Sequence, residues 1–414
     1  MSTYYALPRR YPGTLAVHPA VARDRSVRRR LFAAWGLLYL NTMTFVPGFS
    51  VLDIPSKVGK GIAQAALPLA IVLLLTVNPR LRIRPSLFLC LVSALAAETV
   101  LTAVQIHHLG TAFRTFRMVE FAIALWLLTP WFGRPDMLLL RYHVRWLYVS
   151  LGLVFLGLVI SPGKAFAYDG RLTGAIWPMV PTQIAQYAAM AAGITAVLWL
   201  GRQLRGPAAL GGVLVAVIAL VLTHTRTGLL ALLVGIVVAG LSLFTRNSRV
   251  RRFFAGGTAV VLIGAVTVAG VITTWLARGQ TAQGITSLTG RTNLWSAVLN
   301  TPRTGFQEVF GFGLSNAGVN GLPIDSNWLS SYMQEGVFGV VVCALILVFL
   351  FGTACFRPSS PARASALFIV TYCAIASFTE DAFTDVSTYL LGLAVAASLL
   401  AAPALRRDAG SAIR

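Results

Sequence analysis

Long apolar runs recur along the chain, parted by short polar or basic turns. A helix needs about 20 apolar residues to cross a hydrocarbon core. On that measure the candidate spans are Leu31–Phe49, Gly61–Val77, Ser86–Val104, Met118–Phe132, Leu147–Ala165, Met179–Leu200, Ala208–Thr223, Thr227–Phe244, Phe253–Trp275, Trp328–Phe351, Ala364–Phe378 and Val386–Ala402. The pattern predicts an all-α fold, a polytopic transmembrane helical bundle of about 12 spans. It divides the chain into a basic N-terminal tail over 1–30, a transmembrane domain over 31–405 and a short tail over 406–414. The longest internal connection, 276–327, joins the ninth and tenth spans. Within it, Thr292–Asn300 reads as a surface helix with Leu294, Trp295 and Val298 on an apolar face. Gly311–Gly318 reads as turn material.

Composition supports the membrane reading. The chain is 57% hydrophobic and only 11% charged, where a soluble domain carries roughly 25% charged residues. The net charge of +21 raises the question of nucleic acid. The basic residues form short clusters between apolar runs, not a continuous stripe, so a nucleic-acid partner is not expected. Their sidedness is informative. With the N-terminus inside, 24 of the 34 basic residues fall on cytoplasmic segments, as the positive-inside rule requires. Both termini are therefore expected in the cytoplasm and connection 276–327 outside it. No cleavable signal pattern precedes the first span, which is expected to remain. The four cysteines show neither metal spacing nor a disulfide framework.

Acidic residues collect on the other side, in spans or outer turns. Polar groups at membrane depth are expensive and are functional candidates. Thr223–Gly228 places Arg226 at an outer boundary, where a guanidinium suits phosphate oxygens or snorkels to lipid headgroups. Thr289–Trp295 pairs Arg291 with Trp295 four residues on, a setting for phosphate and sugar or an interfacial anchor. Pro323–Gly339 brings Asp325 to the start of the tenth span, with Tyr332 on nearly the same face and Glu335 deeper. Asp325 is a candidate base or an N-cap. Glu380, Asp381 and Asp385 form an acidic turn between the last spans, catalytic or merely solvated. Arg114 and Arg117 form an outer basic pair, and Arg171 sits in a further outer loop.

Together these elements resemble the O-antigen ligase and O-antigen polymerase superfamily of bacterial membrane glycosyltransferases. The family order is a basic Arg-x-Gly turn, a span, a long loop opening on Gly-Arg with a nearby Trp, a Gly-aromatic-Gly element, a His or Asp beside Asn, and a Gly-x-x-Gly in the next helix. Here the matches are Arg226 and Gly228, then Gly290, Arg291 and Trp295, then Gly311 and Gly313, Asp325, Gly336 and Gly339, sharpest from Leu222 to Phe351. Two departures stand out. Ser326 separates Asp325 from Asn327, and Asp325 stands where ligases to lipid A core carry His. The Asp form is more similar to polymerases and ligases of other envelope or exported polysaccharides.

The resemblance implies a GT-C-like fold in the bacterial cytoplasmic membrane. It implies a polyprenyl-diphosphate-linked glycan as donor, a glycan or lipid as acceptor, and other polysaccharide-assembly membrane proteins as neighbours. It implies inverting transfer without a cofactor or required metal. Arg226 and Arg291 would hold the diphosphate and Asp325 would take the acceptor proton. Arg114, Arg117, Arg171, Trp295, Tyr332, Glu335, Glu380 and Asp381 would complete the substrate site. The competing expectations are a transporter or flippase of lipid-linked glycan and a non-catalytic scaffold. Against the transporter, the sixth and seventh spans are joined by a short turn and no internal repeat is visible.

Overall fold

The computed structural model describes residues 19–402 except 47, 52–53, 108, 245–247, 255–290, 315–317, 320–321, 382 and 384. The helices are α1 (Pro19–Asn41), α2 (Ser56–Val77), α3 (Leu87–Ile106), α4 (Leu109–Leu127), α5 (Leu138–Ile160), the single turn α6 (Pro162–Ala165), α7 (Pro181–Leu200), α8 (Gly206–Leu222) and α9 (Arg226–Phe244). They continue with α10 (Arg291–Leu299), α11 (Gly305–Phe310), α12 (Asn327–Phe356), α13 (Pro361–Ala376) and α14 (Thr388–Leu400). A two-residue antiparallel ladder, Gly318–Val319 with Leu322–Pro323, lies between α11 and α12.

Among the described residues, α2, α3, α5, α7, α9 and α12 are long and apolar enough to cross a membrane, and α8, α13 and α14 are apolar but shorter. The protein is a helical membrane protein. Every expected span except the ninth overlaps a described helix; the ninth, Phe253–Trp275, falls almost wholly outside the described residues. The termini beyond 19 and 402 also lie outside them.

Several boundaries differ from the sequence reading, for one reason. Helices α1, α4 and α5 begin nine to twelve residues earlier than the apolar runs. Arginine is a good helix former, so a charged turn at the membrane boundary extends the helix and does not interrupt it. Arg114 and Arg117 thus sit within α4, not in a loop. Helix starts at α3, α13 and α14 are capped by Ser86, Ser360 and Ser387, whose hydroxyls accept from the backbone N–H three residues on.

Helix α7 is the hub. It is almost entirely buried and rich in alanine. Gly193 on α7 and Gly235 on α9 both leave the space that the Phe368 ring of α13 fills. Small residues at such contacts let helices approach closely where lipid gives no hydrophobic drive.

Candidate functional site

Helix α12 is not continuous. Gly336 has φ 65° and ψ −160° inside it, a region that only glycine occupies readily. A break exposes carbonyls that must find donors inside a membrane protein. The Gly311–Gly313 loop supplies them: Phe312 N–H donates to Met333 O at 2.9 Å and Gly313 N–H to Gln334 O at 2.8 Å. The fit is reciprocal. A Cβ on Gly311 would strike the Gln334 backbone, and one on Gly336 would strike the Val309 backbone. The Gly-Phe-Gly element opens in a turn, as expected, and that turn also plugs a broken helix.

The first half of α12 is fixed to the α13–α14 connection. Asn327 N–H donates to Ser377 O at 2.9 Å, and Phe383 N–H donates to Asn327 Oδ1 at 2.6 Å. Ser326, not Asp325, occupies the N-cap position, and its side chain makes no capping bond. Asp325 is thereby left facing a cavity of about 580 Å³.

That cavity opens where the end of α1 meets the starts of α2, α4, α7, α12 and α14. Arg114, Arg117 and Lys60 supply positive charge, and Asp325, Glu380, Asp381 and Asp385 supply carboxylates. Asp385 lies between the two arginines, 3.8 Å from Arg114 Nη1 and 3.9 Å from Arg117 Nη2. Arg117 Nη2 also donates to Val386 O at 2.6 Å. The polar wall is completed by Gln183 and Gln186 of α7; Gln183 accepts from Thr44 and donates to Thr42 O. Among the described residues no group of three or more His, Cys, Asp or Glu is arranged to hold a metal ion.

The structure thus brings together six of the sequence candidates: Asp325, Arg114, Arg117, Glu380, Asp381 and Asp385. Arg226 opens α9 beside them. The next residue, Thr227, accepts a 2.8 Å hydrogen bond from Thr379, the neighbour of Glu380. Arg171 braces that turn, donating from Nε to Thr223 O at 2.9 Å and from Nη2 to Thr225 Oγ1 at 3.1 Å. It comes off a tight hairpin in which Asp169 and Gly170 both have positive φ. Burial lowers the pKa of Arg171 from its ordinary value, against the attraction of Tyr168, Glu380 and Asp169. Arg171→Ala is expected to cost roughly 2 kcal/mol, the scale of two lost hydrogen bonds, read as a lower unfolding temperature in detergent.

Other candidates lie elsewhere. Glu335 does not line the cavity: it is fully buried, with neither carboxylate oxygen hydrogen-bonded among the described residues. Its side chain lies over Gly339, where a Cβ would collide with it. Tyr332 is covered by Arg303, whose guanidinium carbon is 3.9 Å from the ring centre and whose Nη1 donates to Tyr332 O at 2.7 Å. Tyr332 is also absent from the cavity wall. Arg291 is the first residue of α10, and Trp295 lies half-buried on that helix. The expected Thr292–Asn300 helix is present with its ends shifted by one residue. Gly290 lies outside the described residues.

Reasoning from sequence missed Lys60, Gln183, Gln186 and Arg303. For the glutamines a signal existed: two amides three apart on an apolar helix mark a polar face that must meet something wet or bonded.

No curated protein matches the chain. Residues 211–344 match the family model described as O-Antigen ligase. The matched stretch runs from α8 through α9, α10 and α11 into the broken helix α12, and it contains Arg226, Arg291, the Gly-Phe-Gly plug and Asp325. Over that stretch the chain is similar to the O-antigen ligase family.

Proposed function

We propose that the protein polymerises or ligates glycan taken from a polyprenyl-diphosphate-linked donor at the outer face of a bacterial cytoplasmic membrane. The observation that carries the reading is the cavity in which Arg114 and Arg117 face Asp325, Glu380 and Asp381 at one end of an apolar helical bundle. Cations beside carboxylates at membrane depth suit a substrate with an anionic leaving group and a hydroxyl nucleophile.

In this reading Asp325 accepts the proton of the acceptor hydroxyl. The acceptor oxygen then bonds to the anomeric carbon from the face opposite the diphosphate, giving inversion. The bond from that carbon to the diphosphate oxygen breaks, and the lipid diphosphate leaves with the electron pair. Arg114 and Arg117, with Arg226 at the neighbouring turn, stabilise the charge that develops there. No nucleotide sugar enters the scheme.

The test uses purified protein, a polyprenyl-diphosphate glycan and candidate acceptors, with chelator and without nucleotide sugar. Transfer or chain growth is expected from wild type. Arg117→Ala is expected to lower it about 10²-fold, the scale of one lost oxyanion-type donor. Inactivity of wild type together with movement of the lipid-linked glycan across vesicle membranes would replace the transferase reading by a transporter.

A further inference from the structure

A second cavity, of about 390 Å³, lies at the opposite end of the bundle. Its volume falls within the roughly 300–1,000 Å³ of small-molecule sites. Its walls come from four places: the α4–α5 turn, the α7–α8 turn, the α12–α13 turn and the end of α14. Among the described residues three arginines line it, Arg134, Arg357 and Arg363, and no aspartate or glutamate does.

The three arginines are not equally committed. Arg134 is held by Asp136, at 3.2 and 3.1 Å. Arg357 donates to Leu400 O at the last turn of α14. Arg363 differs: its Nε is buried, with no hydrogen-bond partner among the described residues. A buried guanidinium N–H that no described residue accepts calls for a hydrogen-bond acceptor, and a bound anion would supply one. The start of α13 adds to the field, since helix N-termini favour anions. Apart from Gln203 and Ser360 the remaining wall is apolar, with Met137, Leu399, Pro358 and Pro361 among the lining residues. Gly133 keeps this wall tight. Its φ is +71°, its N–H donates to Ser398 O at 2.8 Å, and a Cβ there would strike the Ala402 carbonyl.

We propose that this cavity binds the phosphate headgroup of an anionic phospholipid from the membrane leaflet opposite the glycan-transfer site. The chemistry is a phosphate oxygen accepting from Arg363, with Arg357 and Arg134 neutralising the charge. The lipid source is favoured over free phosphate because cations and an apolar wall meet at one level, the ends of membrane helices, where headgroup and glycerol lie. The site does not depend on the transferase reading, and its test does not measure transfer.

The full chain in a zwitterionic detergent is titrated with phosphatidylglycerol, phosphatidylcholine or inorganic phosphate, and bound lipid is counted by native mass spectrometry. Wild type is expected to retain phosphatidylglycerol at least tenfold better than phosphatidylcholine, with no displacement by inorganic phosphate. Arg363→Gln, which removes the cation and keeps a polar side chain, is expected to weaken phosphatidylglycerol binding about tenfold. Arg363→Lys should recover part of it. Arg80→Gln, at an exposed arginine outside the cavity, should leave binding unchanged. Unaltered binding in Arg363→Gln, equal retention of phosphatidylcholine, or displacement by inorganic phosphate would each overturn the proposal. Melting curves of each variant separate a lost site from a lost fold.

Discussion

Asp325→Ala is expected to lower glycan transfer by about 10²–10⁴-fold, the range that a positioned general base supplies, while the protein keeps its fold. The fold should survive because Asp325 precedes α12 and is not its cap; the helix start is held instead by Asn327, through Ser377 O and Phe383 N–H. Asp325→Asn separates the two roles of the side chain. It keeps the shape and removes the proton acceptor, so kcat should fall as far as in the alanine variant with little change in KM. Steady-state transfer on a labelled donor reads both constants. A rise in KM at constant kcat in Asp325→Asn would assign Asp325 to binding and pass the base to Glu380 or Asp381, which share the cavity.

Gly336→Ala is expected to be strongly destabilising. Its backbone, at φ 65° and ψ −160°, costs a non-glycine residue roughly 1–3 kcal/mol. The added Cβ would also run into the Val309 backbone, and overpacking of that kind typically costs 1–3 kcal/mol more. A total of about 3 kcal/mol or more is a large share of the 5–15 kcal/mol by which proteins are stable. The obvious relief, withdrawal of the Gly-Phe-Gly plug, would leave the Met333 and Gln334 carbonyls without the Phe312 and Gly313 donors. Thermal unfolding of the purified variant in detergent checks this, and Gly311→Ala should act in the same direction because it attacks the same contact from the other side. Gly352→Ala, where a Cβ meets nothing within 4 Å, serves as the control expected to be harmless.

The helices were legible because a bilayer demands long apolar runs, and the sequence shows those runs directly. Their ends were less so. Hydropathy marks where the oil stops, whereas α4 continues outward through Arg117 and Arg114 because their charge is met by Asp385 in a polar cavity. The polar residues that line the cavity were mostly legible for the same reason: Asp325, Glu380 and Asp381 are costly at a membrane boundary unless something uses them. What the sequence concealed was depth and pairing. Glu335 is ten residues beyond Asp325, and the run of α12 alone does not say that it ends in a buried niche over Gly339. Tyr332 is covered by Arg303, twenty-nine residues earlier in the chain. Contacts between distant segments of chain leave no periodic signal.

The proposed transfer requires the lipid diphosphate to sit in the cavity of Arg114 and Arg117. The direct measurement is photo-crosslinking of the purified protein with a polyprenyl-diphosphate analogue carrying a diazirine next to the diphosphate, followed by peptide mapping. Labels are predicted on the cavity segments around Asn41–Val46, Phe113–Arg117 and Val386–Tyr389, displaced by unlabelled donor and reduced in Arg117→Ala. Labels confined to Arg303 and Tyr332 or to the opposite end of the bundle, and equally displaced by donor, would contradict it.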